Sequence, residues 1–335
     1  MQGPAQRRDA ADKTREGTVW VDEDGIDSPN HAAPPSAPMG LPGRPLCPTM
    51  NIRDAIQSAE ARFKEAGIDS ARLDAELLLG HLLDVPHLQV WLRQAEPLTP
   101  SQAGKWERLI ARRESREPLQ HITGWTAFLD LELHVNRDVL IPRPETEVLA
   151  QLAIERLAAL ASPARALDWG TGSGCLALSL AKAVPAARIT AVDASADALR
   201  IARANAIAQG LADRIRFVEG SGFGALGESP TEFDLIVSNP PYIPTAEIQE
   251  LDPEVRDHDP RLALDGGPDG LDCYRELART ALPWLRPGGP LLLECGDGQA
   301  GPVADLFRGA GWQQESIEKD LSGRDRVLIV ARPRG

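Results

Sequence analysis

From Arg165 to Ala331 the chain alternates short apolar runs with longer amphipathic ones. "RALDW", "RITAV", "IRFV", "FDLIV", "PLLLE" and "RVLIVA" have the length of strands, and segments such as "CLALSLAKAV" and "ADALRIARANAIAQG" between them have helical periodicity. Strands that are apolar on both faces must be covered on both faces, and a helix between successive parallel strands does this. The rhythm predicts a doubly wound α/β sheet. In such a sheet a ligand binds in the crevice outside the carboxyl ends of the strands.

The preceding residues read differently. Residues 1–49 are rich in Pro, Gly, Ala and charge with no apolar period, which predicts a disordered N-terminal extension. Composition changes abruptly at Met50, which is therefore a candidate start residue. Residues 50–120 predict a small helical domain: Asn51 is placed to cap "IRDAIQSAEARFKEAG", Ser70 precedes "ARLDAELLLGHLL", and "TPSQAGKWERLIARR" has Thr99, Pro100 and Gln102 at capping positions. Residues 121–145 then form a linker, in which "LDLELHVNRDVLIP" alternates like a β-hairpin. The sheet domain is expected over 146–335, with "RPETEVLAQLAIERLAAL" as its first helix.

A length of 335 residues with 42% hydrophobic and 25% charged side chains suits two domains. The net charge of -13 argues against general docking to nucleic acid. Cys47, Cys175, Cys273 and Cys295 show no CxxC pair or metal-ligand spacing, and neither His134 nor His258 sits at such a spacing, so no metal is expected. No apolar run reaches the ~20 residues a membrane span needs, and the N-terminus has no signal-like segment, so the cytoplasm is the expected compartment.

The first strand runs into "DWGTGSG", Asp168 to Gly174. Its glycines allow a tight turn in which backbone N–H groups approach a ligand at a helix N-terminus. The pattern is G-x-G-x-G rather than the G-x-G-x-x-G of dinucleotide sites, so a pyrophosphate is not required. Strand two ends in "AVDAS", which places Asp193 where an acid accepts both hydroxyls of a ribose. Together these residues predict a nucleoside site without a diphosphate.

The fourth strand should end beside the first, which brings "SNPPYIP" to the same crevice. Proline lacks an N–H and fixes φ, so Pro240 and Pro241 leave neighbouring carbonyls unpaired on a rigid turn. The Asn239 side-chain oxygen and the Pro240 carbonyl are two acceptors for the hydrogens of a planar NH₂ group, and the Tyr242 ring suits its flat face. An amide-like nitrogen is a poor nucleophile because its lone pair is delocalised. A clamp that orients it and favours its pyramidal, partly positive form is the catalysis such a group needs.

"DWGTGSG", "AVDAS" and "NPPY" resemble motifs of class I S-adenosylmethionine methyltransferases that act on planar nitrogens. "PLQHITGWTAFLDLELHVNRDVLIPRPETEVL", "VRDHDPRLALDGGPDGL" and "LLLECGDGQ" resemble the release factor glutamine methyltransferases, the HemK/PrmC family, from about Met50 to the C-terminus. That resemblance implies methyl transfer from S-adenosylmethionine to the side-chain amide nitrogen of the glutamine in the Gly-Gly-Gln loop of peptide chain release factors. It places the cofactor at Gly170, Thr171, Gly172, Ser173, Gly174, Asp193 and Gly222, with Asn239 touching cofactor and substrate. Pro240, Pro241 and Tyr242 complete the glutamine pocket, Asn239, Pro240 and Tyr242 act in catalysis, and Arg143 supports them.

The chain departs from the family where "EGSGF" puts Ser221 and Gly222 after the third strand, in place of a usual Asp and aromatic residue. Trp169 replaces an aliphatic residue and His121 a tyrosine, and both read as packing substitutions. Arg112, Arg113 and Arg116 read as a solvated helix face, with contact to an acidic release factor surface as the functional reading. Two other functions share the same clamp or loop: methylation of adenine amines in nucleic acid, and non-catalytic nucleoside binding.

Overall fold

The computed structural model describes residues 50–161, 163–227 and 232–334. The extension expected over 1–49, with Cys47, lies outside the described residues.

The first elements are helices: α1 (Ile52–Glu65), α2 (Ala71–Leu83), α3 (His87–Leu92), α4 (Pro100–Glu114) and α5 (Leu119–Thr123). Asn51 starts α1 by accepting the Asp54 N–H at 2.8 Å. Thr99 and Gln102 form a reciprocal capping box at α4, with Pro100 as its first residue. Ile52, Ile56 and Phe63 of α1 pack with Leu78, Leu79, Trp106 and Ile110 in one apolar cluster. Each such side chain contributes roughly 1.5–3 kcal/mol on burial, so the helical spacing of apolar residues dictates this bundle.

A hairpin follows, β1 (Trp125–Phe128) antiparallel to β2 (Leu131–His134). It lies earlier in the chain than the alternation of "LDLELHVNRDVLIP" suggests, because only the first part of that stretch is strand. Val135, Val139 and Ile141 are buried all the same. They belong to a turn over 137–139 and the irregular stretch around it, not to a second ladder.

The main domain comprises α6 (Pro144–Ala158), β3 (Arg165–Trp169), α7 (Cys175–Ala183), β4 (Arg188–Asp193), α8 (Ala196–Ala208), β5 (Ile215–Glu219), β6 (Leu235–Ser238), α9 (Pro253–Arg256), α10 (Asp272–Thr280), β7 (Pro290–Glu294), α11 (Ala300–Gly309), β8 (Gln313–Lys319) and β9 (Asp325–Ala331). Its seven strands lie in the order β5-β4-β3-β6-β7-β9-β8. The pairs from β5 to β7 are parallel, whereas β9 runs antiparallel to β7, and β8 to β9. One face packs on Leu149, Leu176 and Leu178, the other on Tyr274, Leu277, Phe307 and Trp312.

The strand absent from the sequence reading is β8. Its sequence, "QQESIEK", has no apolar run, because it is an edge strand paired only with β9 and its side chains are exposed or half-buried. Charged residues there also discourage pairing with another chain. For the site, the important pairing is β3 with β6, which aligns Asp168 with Val237. The Ser238 hydroxyl then donates to the Trp169 carbonyl at 2.6 Å, fixing the start of the "NPPY" turn beside the glycine turn.

Candidate active site

The turn after β3 is built on glycines with left-handed backbone: φ is 79° at Gly170, 54° at Gly172 and 86° at Gly174. A side chain at Gly170 or Gly172 would meet nothing within 4 Å, so these two expose backbone to open space. Gly174 serves packing, since a Cβ there would lie 2.9 Å from Leu178 Cδ1. Beneath the turn the buried Asp168 accepts from the Thr171 hydroxyl at 2.6 Å and the Ala177 N–H at 3.1 Å. Burial pushes its carboxyl up to about 7, against those two hydrogen bonds. Asp193, at the end of β4, accepts the Gly172 N–H at 2.8 Å and the Ser195 N–H at 2.9 Å. Burial raises its pKa, opposed by these backbone donors. Asn205 of α8 donates to the carbonyls of Ser173 and His134 and accepts the His134 N–H, joining the turn to the hairpin.

On the other side of β3, the Asn239 amide donates through Nδ2 to Thr146 Oγ1 at 3.1 Å, which leaves its Oδ1 as the acceptor. Thr146 stands close enough to Glu294 to pull its pKa down. Glu294 is 1% exposed and burial pushes it up to about 7. The Tyr242 hydroxyl points at its Oε1 from 3.5 Å, and burial raises the phenol above its ordinary value. Both ends of the turn thus lean on one buried carboxyl.

Two distant segments hold the turn from outside. Gln299 donates to the Tyr242 carbonyl at 2.9 Å, and Ile243 exchanges backbone hydrogen bonds with Leu264 and Gly266. A Cβ on Gly270 would overlap the Tyr242 carbonyl oxygen, and one on Gly266 would come 2.8 Å from Tyr242 Cα. These contacts explain why "LDGGPDGL" and "LLLECGDGQ" accompany the turn: they wrap it.

A cavity of about 260 Å³ spans the carboxyl ends of β6, β3, β4 and β5. Among the residues expected in the site, Gly170, Thr171, Gly172, Ser173, Asp193, Gly222, Asn239 and Pro241 line it, whereas Gly174, Pro240 and Tyr242 are not among its lining residues. Trp169 and Ser221 line it too, so Trp169 combines packing on Val192 and Phe223 with a place on the wall. The residues without a forecast role are Asp168, Thr146, Glu294 and Glu276. Asp168, Thr146 and Glu294 lay inside quoted motifs, but only the fold shows what they touch.

Arg143 pairs with the buried Asp259 at 2.5 Å, next to Pro260 on the cavity wall. His121 lies 3.9 Å from the same carboxylate, and burial depresses its pKa to about 4. The expectation of a solvated arginine face does not hold for Arg113 and Arg116. Arg113 is 5% exposed and bonds to Asp74 at 2.7 Å and Glu254 at 2.9 Å. Arg116 grips Glu254 through two nitrogens, at 2.8 Å and 2.6 Å, and also donates to the carbonyls of Ala66 and Gly67. A buried guanidinium needs such partners, and they tie the helical domain to the segment that runs into the cavity wall. Arg112 bonds to Glu117 instead.

S-adenosylmethionine fits what these residues offer. Two open left-handed glycines give a backbone approach, and the Asp193 carboxylate sits on the cavity wall at the next strand end. With the mostly parallel sheet ending in antiparallel strands, the site defines a class I S-adenosylmethionine-dependent methyltransferase.

Residues 54–124 match the PrmC N-terminal domain model and residues 146–251 the methyltransferase small domain model. A release factor glutamine methyltransferase of Deinococcus radiodurans is 46% identical over 85% of this chain and 100% of its own length. One from Geobacter sulfurreducens is 42% identical over 83% of this chain and 95% of its own. The solved structure of the release factor-specific protein-(glutamine-N5) methyltransferase of Alicyclobacillus acidocaldarius is 36% identical, covers 60% of this chain and 99% of that one, and gives a TM-score of 0.36. The sequence relatives carry the assignment: the chain belongs to the release factor glutamine methyltransferase family, and is an S-adenosylmethionine-dependent protein-glutamine methyltransferase.

Proposed function

We propose that the acceptor is the glutamine of the Gly-Gly-Gln loop of peptide chain release factors, methylated on its side-chain nitrogen by the turn from Asn239 to Tyr242. The orientation of Asn239 carries the planar NH₂ acceptor, and the release factor relatives favour glutamine over adenine as its source. Because its Nδ2 is spent on Thr146, its Oδ1 is left to accept from the substrate amide. The Pro240 carbonyl is the second acceptor, and the paired prolines keep it from turning away.

S-adenosylmethionine supplies the methyl group as an electrophile on its sulfonium. Gly170, Thr171, Gly172, Ser173 and Gly222 would hold it, with Asp193 accepting from the ribose hydroxyls. The chain's own residues bind the amide NH₂ through two acceptors, hold it in one plane, and favour the nitrogen as it becomes pyramidal and partly positive. Pro241 on the wall and the neighbouring Tyr242 ring confine the amide. The methylated nitrogen carries one proton more than the neutral product and gives it up to water after the transfer, so no side-chain base is required for the transfer itself. Glu294 sits behind Thr146 and Tyr242, off the cavity wall, and its role is to position them.

The test incubates the enzyme and labelled S-adenosylmethionine with a release factor, with a factor whose loop glutamine is replaced, and with adenine-containing DNA. Peptide mass spectrometry should place the label on the loop glutamine alone. Label on DNA, or on the factor lacking that glutamine, rejects the assignment.

A further inference from the structure

The cavity is ordered by the sheet. Asn239 lies at the end of β6, the glycine turn at β3, Asp193 at β4, and Gly220 to Gly222 at β5, which are neighbours in that order. If Asp193 takes the ribose, the base of the nucleoside lies beyond it, at the end of β5, away from the transferring group. An adenine there needs an acceptor for its exocyclic amine.

Ser221 and Gly222 bring no acid to this end, and Glu219 on β5 is exposed and absent from the wall. The acid comes from elsewhere. Glu276 of α10 lines the cavity beside Cys273, Ser221 and Gly222. Its Oε1 occupies the place a side chain at 222 would take, for a Cβ built on Gly222 would overlap that oxygen. Gly222 also has φ 63°, so residue 222 favours glycine twice over, once for its backbone and once to admit Glu276. No ion pair engages Glu276 among the described residues, while its neighbour Arg275 pairs with Asp269 and Asp272.

We propose that Glu276 is the residue that selects the base of the cofactor, accepting a hydrogen bond from the amino group of adenine. An ionised carboxylate is acceptor-only, so it rewards an amine and repels a keto oxygen at the same ring position. Gly222 and Glu276 thus act as a pair: the side chain missing from one is replaced by the carboxylate of the other. This rests on reading the cavity as the S-adenosylmethionine site.

Binding calorimetry on the full chain compares S-adenosylhomocysteine with its deaminated analogue, S-inosylhomocysteine, which carries a keto oxygen in place of the amine. The wild type should prefer the adenine form by about tenfold to a hundredfold, the range expected for one hydrogen bond to a charged acceptor. Glu276→Gln, whose amide can donate, should bring that ratio near one, and Glu276→Ala should lower it. Glu219→Gln, exposed and off the wall, should leave it unchanged. A ratio in Glu276→Gln equal to the wild type's overturns the role of Glu276 while leaving the cofactor site standing. Failure of the wild type to bind either ligand overturns the cofactor reading and this proposal with it.

Discussion

The two halves of the site each stand on a buried carboxyl, and they differ in where its partners come from. Asp168 supports the glycine turn through Thr171 and Ala177, three and nine residues away, and Gly172 meets Asp193 across 21. Glu294 supports the "NPPY" turn from across the fold: its bond to Tyr242 spans 52 residues, that of Gln299 to the Tyr242 carbonyl 57, and that of Asn239 to Thr146 93. Both carboxyls are pushed up to about 7 by burial, and each keeps one oxygen without a partner among the described residues. One half is assembled by a single strand-turn-helix unit. The other exists only when the helix after the linker, the strand β7 and the loop before α10 have all docked.

That contrast predicts separable failures, and the largest sits at the strand ends. Asn239→Ala should cost roughly 10²–10³-fold in kcat, as loss of a preorganised polar contact to the reacting group does, with cofactor affinity nearly kept. Asp193→Asn should do the reverse, weakening S-adenosylmethionine by about tenfold to a hundredfold with a smaller loss in kcat. Single-turnover rates and calorimetry on both variants check this. If both parameters fall together in each variant, the halves are not separate.

A milder break uses glycines. Gly172 faces open space, so Gly172→Ala should add only left-handed strain on the cofactor side. At Gly270 the backbone has φ 75° and the added methyl would meet the Tyr242 carbonyl oxygen and, at 2.7 Å, Gln299 Nε2. Gly270→Ala should lower stability by roughly 1–3 kcal/mol and reduce kcat through a displaced turn. Denaturant melts with steady-state kinetics would show it. A Gly270→Ala enzyme with normal kcat would mean that the wrapping loop does not hold the clamp.

The same contrast decides what could be read from the sequence. The glycine turn and Asp193 were legible because strand, turn, helix and distal acid follow one another in the chain, and the helix caps at Asn51 and Thr99 were legible for the same reason. The turn "NPPY" was legible as a constrained feature, since two prolines after an apolar run demand an explanation, but its support was not: nothing local tells Thr146 that it will meet Asn239. Arg113 and Arg116 looked like solvent-facing charge for lack of a visible partner, and Glu254, which they share, lies 141 and 138 residues further on. The edge strand β8 stayed hidden because an edge does not have to be apolar. Local physics leaves its signature in spacing, whereas contacts between distant segments leave only unexplained polar residues.

The smallest predicted effect on kcat tests whether the two carboxyls are equivalent foundations. Glu294 titrates near 7 in the fold against an ordinary value of 4.5, so the folded state keeps its proton over a window in which the unfolded chain has lost it. A raised carboxyl contributes stability that is complete below about 4.5 and is lost as pH rises through about 7. Glu294→Gln cannot titrate. The stability of the wild type relative to this variant should therefore grow as pH falls from about 7 toward 4.5, by at most about 1.4 kcal/mol per pH unit. Asp168→Asn should show the same trend from its own shifted carboxyl. Their functional effects should differ: Glu294→Gln loosens Thr146 and Tyr242 and so lowers kcat a few-fold, while Asp168→Asn loosens the glycine turn and so weakens cofactor binding. Denaturant melts at several pH values, with kcat and cofactor affinity measured on each variant, separate the two. A flat pH difference for Glu294→Gln would mean that its carboxyl is already ionised in the fold, with the buried charge balanced by Arg326 rather than by a proton.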